Sequence, residues 1–424
     1  MSIYHDQLIS IRRQLHQNPE EGWSEFTTTA FLVKTLRGYG YQVLLGRNII
    51  DPDACLGREM SVVKAGIERA RKNGVSEELL AEMQELTGCV AVLDTGRPGP
   101  TLALRFDIDC IPVTESTDDK HVPTHCGFAS KNPGFMHACG HDAHMSMGLA
   151  VCHWLMDNKD KLSGKVKILF QPAEEGVRGA AGMAASGILD DCDYFLSSHV
   201  AMLAKSGELA TNLYGFLCTT KYDVTFNGRA SHAGVSPQEG RNALAAAANA
   251  TVQMLGISRH GGGMTRINIG QLVAGEGRNV IPSKAVMKLE VRGETMEINN
   301  YMSEQVTNIV EGIAKGFSVT YDMRKMGEAV DLTADQELID ILNESGREVG
   351  LKVLDKPLNF GGSEDARSSG AYQEPSSGVQ IVRAGTTVRS LISRKRIWLL
   401  RLTSGRMCCR RSLSNKARKS PGGF

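Results

Sequence analysis

The spacing of apolar residues predicts two helices and a strand in the first 45 positions. Apolar side chains recur at helical spacing from Leu8 to Leu15 and again over residues 31–36, and residues 41–45 form an apolar run typical of a strand. Residues 60–86 are charged and contain two glycines, so we expect a surface hairpin of two helices there.

Three apolar runs then predict strands, over residues 89–93, 101–106 and 165–170. The apolar pattern of residues 145–156 predicts a helix between the last two of these strands. Strands separated by helices indicate an α/β layer with a largely buried sheet.

The alternation changes over residues 221–323, where it predicts the order βαββαβ of a ferredoxin-like unit. The expected elements are a strand at 222–226, a helix at 242–254, strands at 265–272 and 284–291, a helix at 296–313 and a strand at 318–323. A helix at 336–349 and a short strand at 352–354 follow, with which the chain can rejoin the first layer. We therefore expect residues 221–323 to be an inserted domain.

The chain of 424 residues is 42% hydrophobic and 22% charged, which is typical of a globular protein with two or three domains. It contains no run of eighteen apolar residues, and its first residues lack the basic and apolar segments of a signal peptide. We therefore expect a cytoplasmic protein without a membrane span. Ten cysteines are too few for a disulfide-stapled domain of this length, so most are expected to be buried thiols.

The formal net charge of +1 hides an asymmetry along the chain. Residues 383–424 hold twelve of the 48 basic residues and no acidic residue, so residues 1–382 carry a net charge of −11. The negative charge of residues 1–382 argues against nucleic acid as a partner, because phosphate binding needs positive charge. Binding of nucleic acid through the basic segment alone is a minor alternative.

Three clusters place metal-competent side chains at the end of a predicted strand or in the loop after it. They are HACGHDAH at 137–144, QPAEEG at 171–176 and SSHV at 197–200. A Cys-x-His pair in a loop can turn both side chains towards one ion, and thiolate and imidazole suit zinc and related metals. Because adjacent carboxylates at a strand end point in different directions, one of Glu174 and Glu175 can bind metal while the other stays free as a base.

Each cluster alone has an ordinary structural explanation. A single histidine is usually a surface or core residue, a Glu-Glu pair is usually solvated, and a Cys-x-His spacing can arise by chance. Asp107 and Asp109 add two carboxylates at the end of a buried strand, where they are costly unless they are paired or bind metal. Because the ordinary explanation requires several independent coincidences, we favour a metal site.

Six motifs follow one another along the chain, namely RFDID at 105–109, MHACGHD at 136–142, FQPAEEG at 170–176, SHV at 198–200, ASHAG at 230–234 and GSEDA at 362–366. In this order they resemble the motifs of the M20 amidohydrolases, in the branch that contains hippurate hydrolase and the auxin-conjugate hydrolases. Within this branch, the helical insert before LDTGRPGP at 93–100 and the segment GFAS at 127–130 resemble the subfamily that hydrolyses p-aminobenzoyl-glutamate.

The resemblance implies an α/β catalytic domain, with a mixed sheet and flanking helices, and an inserted βαββαβ domain that serves as a lid and for dimerisation. The implied boundaries are residues 1–220 and 324–382 for the catalytic domain, 221–323 for the lid domain and 383–424 for an aberrant basic tail. Two divalent ions are expected between the domains. The resemblance favours manganese, and zinc, which suits cysteine and histidine, is the alternative.

The resemblance also implies the ligands and the base. Cys139 would bridge the two ions, and His141, Glu175 and His199 would be terminal ligands. Glu174 would be the general base, which takes a proton from metal-bound water and gives it to the departing amine.

Four further residues are expected to assist the reaction. Asp109 would orient the site from behind the ligands. On the lid, His232 would donate to the developing oxyanion, and Asn279 and Arg292 would bind the substrate carboxylate. The lid assignments compete with an ordinary explanation, because a lone arginine on a strand often forms a surface ion pair.

The chain departs from the family in its C-terminal segment. The family's last metal-binding histidine lies in a His-His pair before Phe-Asp, whereas no histidine follows His260 here. One explanation is a disordered basic tail. We favour a frame change after Ala366. Codons for Gly385, Thr386 and Thr387 can contain CAC-CAC, which encodes His-His, one step out of frame. In the same shifted frame, codons for residues 389–393 can read Lys-Phe-Asp-Phe. Otherwise another histidine, such as His144, would have to complete the site.

The sequence therefore predicts a metal-dependent amidohydrolase that releases an amino acid, with glutamate expected, from an N-acyl or N-aroyl conjugate such as p-aminobenzoyl-glutamate. The alternatives are a hippurate-like or auxin-conjugate-like hydrolase, and a catalytically impaired subunit that binds substrate or a partner. The expected partners are the small-molecule substrate and a second subunit, in a homodimer or in a heterodimer with a homologous chain. Neither nucleic acid nor membrane is expected.

Overall fold

The computed structural model describes residues 3–200, 204–331, 335–354, 356–359 and 362–365. The basic segment 383–424, with Thr386 and Thr387, lies outside the described residues, and so does every position at which the frame change is expected.

The described residues form ten α-helices and thirteen strands. The helices are α1 (Ile3–His16), α2 (Phe26–Gly38), α3 (Met60–Lys72), α4 (Glu77–Met83), α5 (Val122–His125), α6 (His141–Asp157), α7 (Ala180–Ala185), α8 (Ala243–Leu255), α9 (Met296–Phe317) and α10 (Gln336–Glu348). The strands are β1 (Gln42–Leu44), β2 (Cys89–Asp94), β3 (Thr101–Asp107), β4 (Lys165–Gln171), β5 (Tyr194–Ser197), β6 (Glu208–Leu209), β7 (Leu213–Tyr214), β8 (Cys218–Asn227), β9 (Thr265–Ala274), β10 (Lys284–Gly293), β11 (Thr320–Ala329), β12 (Lys352–Val353) and β13 (Leu358–Asn359).

Five strands form the first sheet, in the order β1-β2-β4-β3-β5. Strands β1, β2 and β4 pair antiparallel, whereas β4, β3 and β5 run parallel. All seven residues of β3 are buried, because this strand has a neighbour on each side and is covered on both faces. The predicted α/β class, with a mixed sheet and flanking helices, is confirmed.

Alternate side chains of the first sheet pack into two separate cores. Leu102 and Leu104 of β3 pack with α1, α6 and α10, whereas Ala103 of β3 and Leu169 of β4 pack with α3, α4 and α7. This alternation follows from the two-residue period of a strand. The helical hairpin expected from residues 60–86 is present as α3 and α4, and it covers the second face of the sheet.

Helix α6 lies against the first sheet and begins at His141, earlier than the predicted start at residue 145. The pattern of apolar residues missed this first turn because the turn is polar. Gly140, with a φ of 91°, forms the left-handed bend before the helix, and a Cβ there would lie 2.7 Å from the side chain of Val200. Gly148 allows close approach to the sheet, since a Cβ there would lie 2.8 Å from two buried phenylalanine rings.

The second sheet is antiparallel and has the order β11-β8-β10-β9. In chain order its elements are β8, α8, β9, β10, α9 and β11, which is the predicted βαββαβ pattern. Helices α8 and α9 pack on this sheet around a core of their own, which includes Val224, Ala247, Met287 and Val306. Within the described residues, β9 is an edge strand of this sheet.

After the second sheet the chain returns to the first core through α10, whose Leu338 and Ile341 pack there. The short strand expected at 352–354 does not extend the first sheet. Strand β12 pairs in parallel with β6 instead, a segment of the same length. In the described part of the chain, no helix combines the length and the apolar character that crossing a membrane requires.

Candidate metal centre

The candidate site lies where the carboxyl ends of three parallel strands meet. Strands β4, β3 and β5 are neighbours and run in the same direction, so the residues after each strand share one edge of the sheet. Asp107 ends β3, Gln171 ends β4 and Ser197 ends β5, which brings the predicted clusters together. Ligands commonly bind at this edge of α/β sheets.

Four predicted metal ligands and the predicted base converge at this edge. The ligand atoms of Cys139, His141 and His199 lie within 4.8 Å of one another, and Sγ of Cys139 is 3.4 Å from Nε2 of His199. Carboxylate oxygens of Glu174 and Glu175 lie 3.8 and 3.9 Å from Nε2 of His141. The structure therefore groups residues from three separate motifs around one point.

His141 and His199 each direct Nε2 to this point, because a backbone carbonyl accepts the proton of Nδ1. Nδ1 of His141 donates to the carbonyl of Asp109 at 2.8 Å, and Nδ1 of His199 donates to the carbonyl of Val200 at 2.6 Å. Each Nε2 is therefore left for another partner. In the described part of the chain, Nε2 of His141 and Oε1 of Glu175 are buried without a hydrogen-bond partner. Buried polar atoms are costly in that state, and imidazole, thiolate and carboxylate together fit a divalent metal ion.

The charge balance of the site also favours a cation. Burial, followed by two further carboxylates, raises the pKa of Glu174 well above 4.5, and burial followed by Asp109 raises the pKa of Glu175. Burial alone would lower the pKa of His141, but the surrounding carboxylates outweigh it and raise this pKa well above 6.5. Each of these shifts means that an added positive charge stabilises the site.

The two glutamates lie in a strained turn that follows β4. Ala173 and Val177, on either side of them, have φ values of 50° and 59°, which are uncommon for residues with a Cβ and especially for a β-branched one. The carboxylate of Asp109 accepts the backbone N–H of Glu174 at 3.1 Å and that of Glu175 at 2.9 Å. Asp109 therefore supports both glutamates through their backbone, from behind the ligands.

Sequence reasoning missed Arg105, a fully buried cation beside the ligands. Its guanidinium lies 2.8 Å from Asp107, 2.8 Å from Asp365 and 3.1 Å from Glu364. These ion pairs join the segment near residue 365 to the central strand of the first sheet. The available signal was a single arginine in an otherwise apolar strand, since such a residue is buried only with partners.

Arg292, predicted to bind a substrate carboxylate, lies next to the site. It is near the end of β10, and its Nη1 donates to Oγ of Ser363 at 3.1 Å, one residue before Glu364. Its Nε and Nη2 donate to the carboxylate of Glu290 at 2.9 and 3.2 Å. The second sheet therefore presents a guanidinium to the side of the site that carries Glu364.

His232 and Asn279 lie together in exposed loops of the second sheet, with Nε2 of the ring 3.4 Å from the amide nitrogen of Asn279. Nδ1 of His232 accepts the backbone N–H of Gly234 at 3.2 Å, which leaves Nε2 of the ring for another partner. Among the residues that the structure describes, no hydrogen bond joins either side chain to the converging ligands. The structure brings these two predicted residues together but not to Cys139 and its neighbours.

Comparison with known proteins gives consistent relatives. Residues 103–388 match Peptidase family M20/M25/M40. The chain is 51% identical over 368 residues to a protein of Haemophilus influenzae whose name describes it as the homolog of a p-aminobenzoyl-glutamate hydrolase subunit, covering 86% of this chain and 87% of that protein. It is 43% identical to indole-3-acetyl-aspartic acid hydrolase of Enterobacter agglomerans, covering 84% and 82%. The crystal structure of an aminobenzoyl-glutamate utilization protein from Klebsiella pneumoniae matches with a TM-score of 0.74 at 38% identity, covering 86% of this chain and 87% of that one.

Proposed function

The chain belongs to peptidase family M20/M25/M40 and is a metal-dependent amide hydrolase, and we propose that it releases glutamate from p-aminobenzoyl-glutamate. The names of two relatives describe conjugates of glutamate and of aspartate, so an acidic amino acid is the feature they share. The convergence of Cys139, His141 and His199 beside the buried Glu174 and the half-buried Glu175 is the observation that supports hydrolysis best.

The metal ligands in this proposal are Cys139 as the bridge between two divalent ions and His141, Glu175 and His199 as terminal ligands. Manganese is our first choice because the M20 motifs favour it, and zinc is the second because thiolate and imidazole suit it. When bound, the ions would polarise the amide carbonyl and acidify a water molecule.

Glu174 moves the proton in the proposed reaction. It is buried, it lies 3.8 Å from Nε2 of His141, and burial raises its pKa, which suits a group that takes and returns a proton. Its carboxylate takes the proton of the attacking water and delivers it to the nitrogen of the departing amine. Asp109 holds the turn in place through the backbone of Glu174 and Glu175.

Residues of the second sheet bind the substrate. Arg292 receives the carboxylate of the amino acid, because it is already next to the site and a guanidinium binds carboxylate with two parallel hydrogen bonds. Asn279 assists at that carboxylate, and His232 donates its Nε2 proton to the developing oxyanion. These two residues reach the ligands only if the second sheet changes its position, so we assign residues 221–323 the role of a lid over the catalytic segments 1–220 and 324–382.

A second protein chain would bind the second sheet. Strand β9 is an edge strand, and five exposed apolar side chains lie on it and on α8, namely Leu272, Val273, Leu244, Val252 and Leu255. Because the name of a relative describes one subunit of a hydrolase, the partner is either a second copy or a homologous chain. Light scattering of the purified chain, alone and with such a partner, measures the assembly.

A catalytically impaired binding subunit is the second candidate. No histidine follows His260 in the sequence, so the last ligand expected from the family's motif is absent. The absence of this histidine does not affect the converging ligands, which can hold an ion without it.

Metal analysis and a glutamate-release assay on the purified chain separate the two candidates. The enzyme is expected to hold metal and to hydrolyse p-aminobenzoyl-glutamate faster than hippurate or an indole-acetyl conjugate. The variant C139S should lose metal, because a hydroxyl is a far poorer bridging ligand than a thiolate. Firm metal binding without hydrolysis of any of these substrates would favour the impaired subunit, and no metal binding at all would exclude the hydrolase.

A further inference from the structure

We propose that His144, which has no role in the reaction above, positions the metal-binding ring of His199; this inference rests on the proposed metal site. His144 lies one turn after His141 in α6 and is fully buried. Its ring stacks on that of His141 with 5.3 Å between centroids and meets that of His199 edge-on at 4.6 Å. The ring of His144 therefore packs against the rings of two of the proposed ligands.

Both ring nitrogens of His144 are already engaged. The backbone N–H of Val200 donates to Nε2 at 2.9 Å, so Nε2 carries no proton, and Nδ1 donates to the carboxylate of Asp107. No lone pair remains for an ion, although ligand atoms of His144, Asp107 and His141 lie within 4.8 Å of one another. His144 cannot serve as the missing ligand, so it acts on the site through other residues.

Val200 is the residue through which His144 acts on His199. Its N–H is held by His144, and its carbonyl accepts the Nδ1 proton of His199 at 2.6 Å. With Nδ1 turned to this carbonyl, Nε2 of His199 faces Sγ of Cys139 at 3.4 Å. Fixing residue 200 therefore fixes both the tautomer and the orientation of the His199 ring.

The other end of this series of contacts is anchored in the first sheet. Asp107 is the last residue of β3, is fully buried and accepts a hydrogen bond from Arg105 at 2.8 Å. The central strand thus supports the turn after β5 through the ring of His144. Without that ring, an oxygen of Asp107 and the N–H of Val200 would both lose a buried partner, and the turn that carries His199 would relax.

The metal affinity of His144 variants tests this inference. The wild-type chain, H144F, H144Q and S146A are titrated with Zn²⁺ in competition with a chromophoric chelator. A second titration with Co²⁺ records the thiolate-to-cobalt charge-transfer absorption, which reports the geometry at Cys139. Ser146 is a matched control, because it is buried in the same helix and donates to the carbonyl of Asp142 rather than to the turn after β5.

We expect H144F to bind Zn²⁺ about 10- to 100-fold more weakly and to show a weaker charge-transfer band. H144Q, which can still donate and accept, should recover part of both signals, and S146A should match the wild type. Wild-type affinity and spectrum in folded H144F would overturn the positioning role while leaving the proposed function intact.

Folding of each variant is checked by circular dichroism. If H144F does not fold, H144Q decides: binding at least about threefold weaker supports the role, and unchanged binding overturns it. A wild-type chain that binds neither ion would remove the proposed metal site, and the positioning role with it.

Discussion

Replacing Glu25 with glutamine should change how the stability of the metal-free chain depends on pH. Glu25 is fully buried, and its carboxylate oxygens accept the backbone N–H of Ala173 at 2.8 Å and the hydroxyl of Thr87 at 2.7 Å. Burial, followed by the neighbouring carboxylate of Asp109, raises the pKa of Glu25 from 4.5 to about 8. Glutamine can accept from Ala173 and donate to Thr87, but it cannot ionise.

The sign of the effect follows from the direction of this shift. The folded chain holds the proton of Glu25 more tightly than the unfolded chain, so its contribution to stability is full below pH 4.5 and is lost as the pH rises through about 8. At about 1.4 kcal/mol per pH unit, the loss is up to about 5 kcal/mol over this window, of which about 3 kcal/mol falls between pH 5.5 and 8.

Urea unfolding in the presence of a metal chelator, at pH 5.5 and at pH 8, measures this loss. The free energy of unfolding of the wild-type chain should fall by on the order of 3 kcal/mol more than that of E25Q over this interval. E82Q is the control, because Glu82 is exposed and pairs with Arg37 on the surface, and it should follow the wild type. Equal pH dependence in wild type and E25Q would refute the reasoning from burial.

Three further outcomes are expected. Burial would lower the pKa of His16, but hydrogen bonds to two carboxylates outweigh it and raise this pKa above 6.5, so the stability that His16 contributes is full below pH 6.5 and is lost at higher pH. H16Q should therefore flatten the fall of the melting temperature with pH above 6.5. Gly148→Ala should destabilise by about 1–3 kcal/mol in urea, because its Cβ would lie 2.8 Å from two phenylalanine rings, whereas Gly38→Ala meets nothing within 4 Å and should be neutral or stabilising. Because no histidine follows His260, the 424-residue chain should bind at most one of the two proposed ions firmly. An alternative frame with His-His in place of Thr386 and Thr387 should restore the second ion by metal analysis, while two firmly bound ions in the 424-residue chain would contradict the frame change.

The sequence predicted most of the fold because the periods of its apolar residues are distinct. Strand β3 and its neighbours have largely apolar runs, and the βαββαβ order could be predicted from alternating strands and amphipathic helices. The first turn of α6 was missed because its residues are polar and are buried only through tertiary partners. The pairing of β12 with β6 was not predicted, because a two-residue strand carries too little pattern to fix a partner.

The site was predictable as far as its residues follow parallel strands. Cys139, His141 and the two glutamates could be expected together because the carboxyl ends of such strands share an edge. The ion pair between Arg105 and Asp365 could not, because the two residues are 260 positions apart and no local pattern relates them. The contact of His144 with Val200 could not be predicted either, because the two residues are distant in sequence and no local pattern relates them.

Metal content and glutamate release, measured side by side for E174Q and E175Q, test the central claim most directly. If Glu174 moves the proton and Glu175 holds metal, E174Q should lower kcat by about a thousandfold or more while keeping the metal content of the wild type. E175Q should lose metal under dialysis conditions in which the wild type keeps it. Equal loss of metal in both variants, or hydrolysis by E174Q at the wild-type rate, would contradict the assignment.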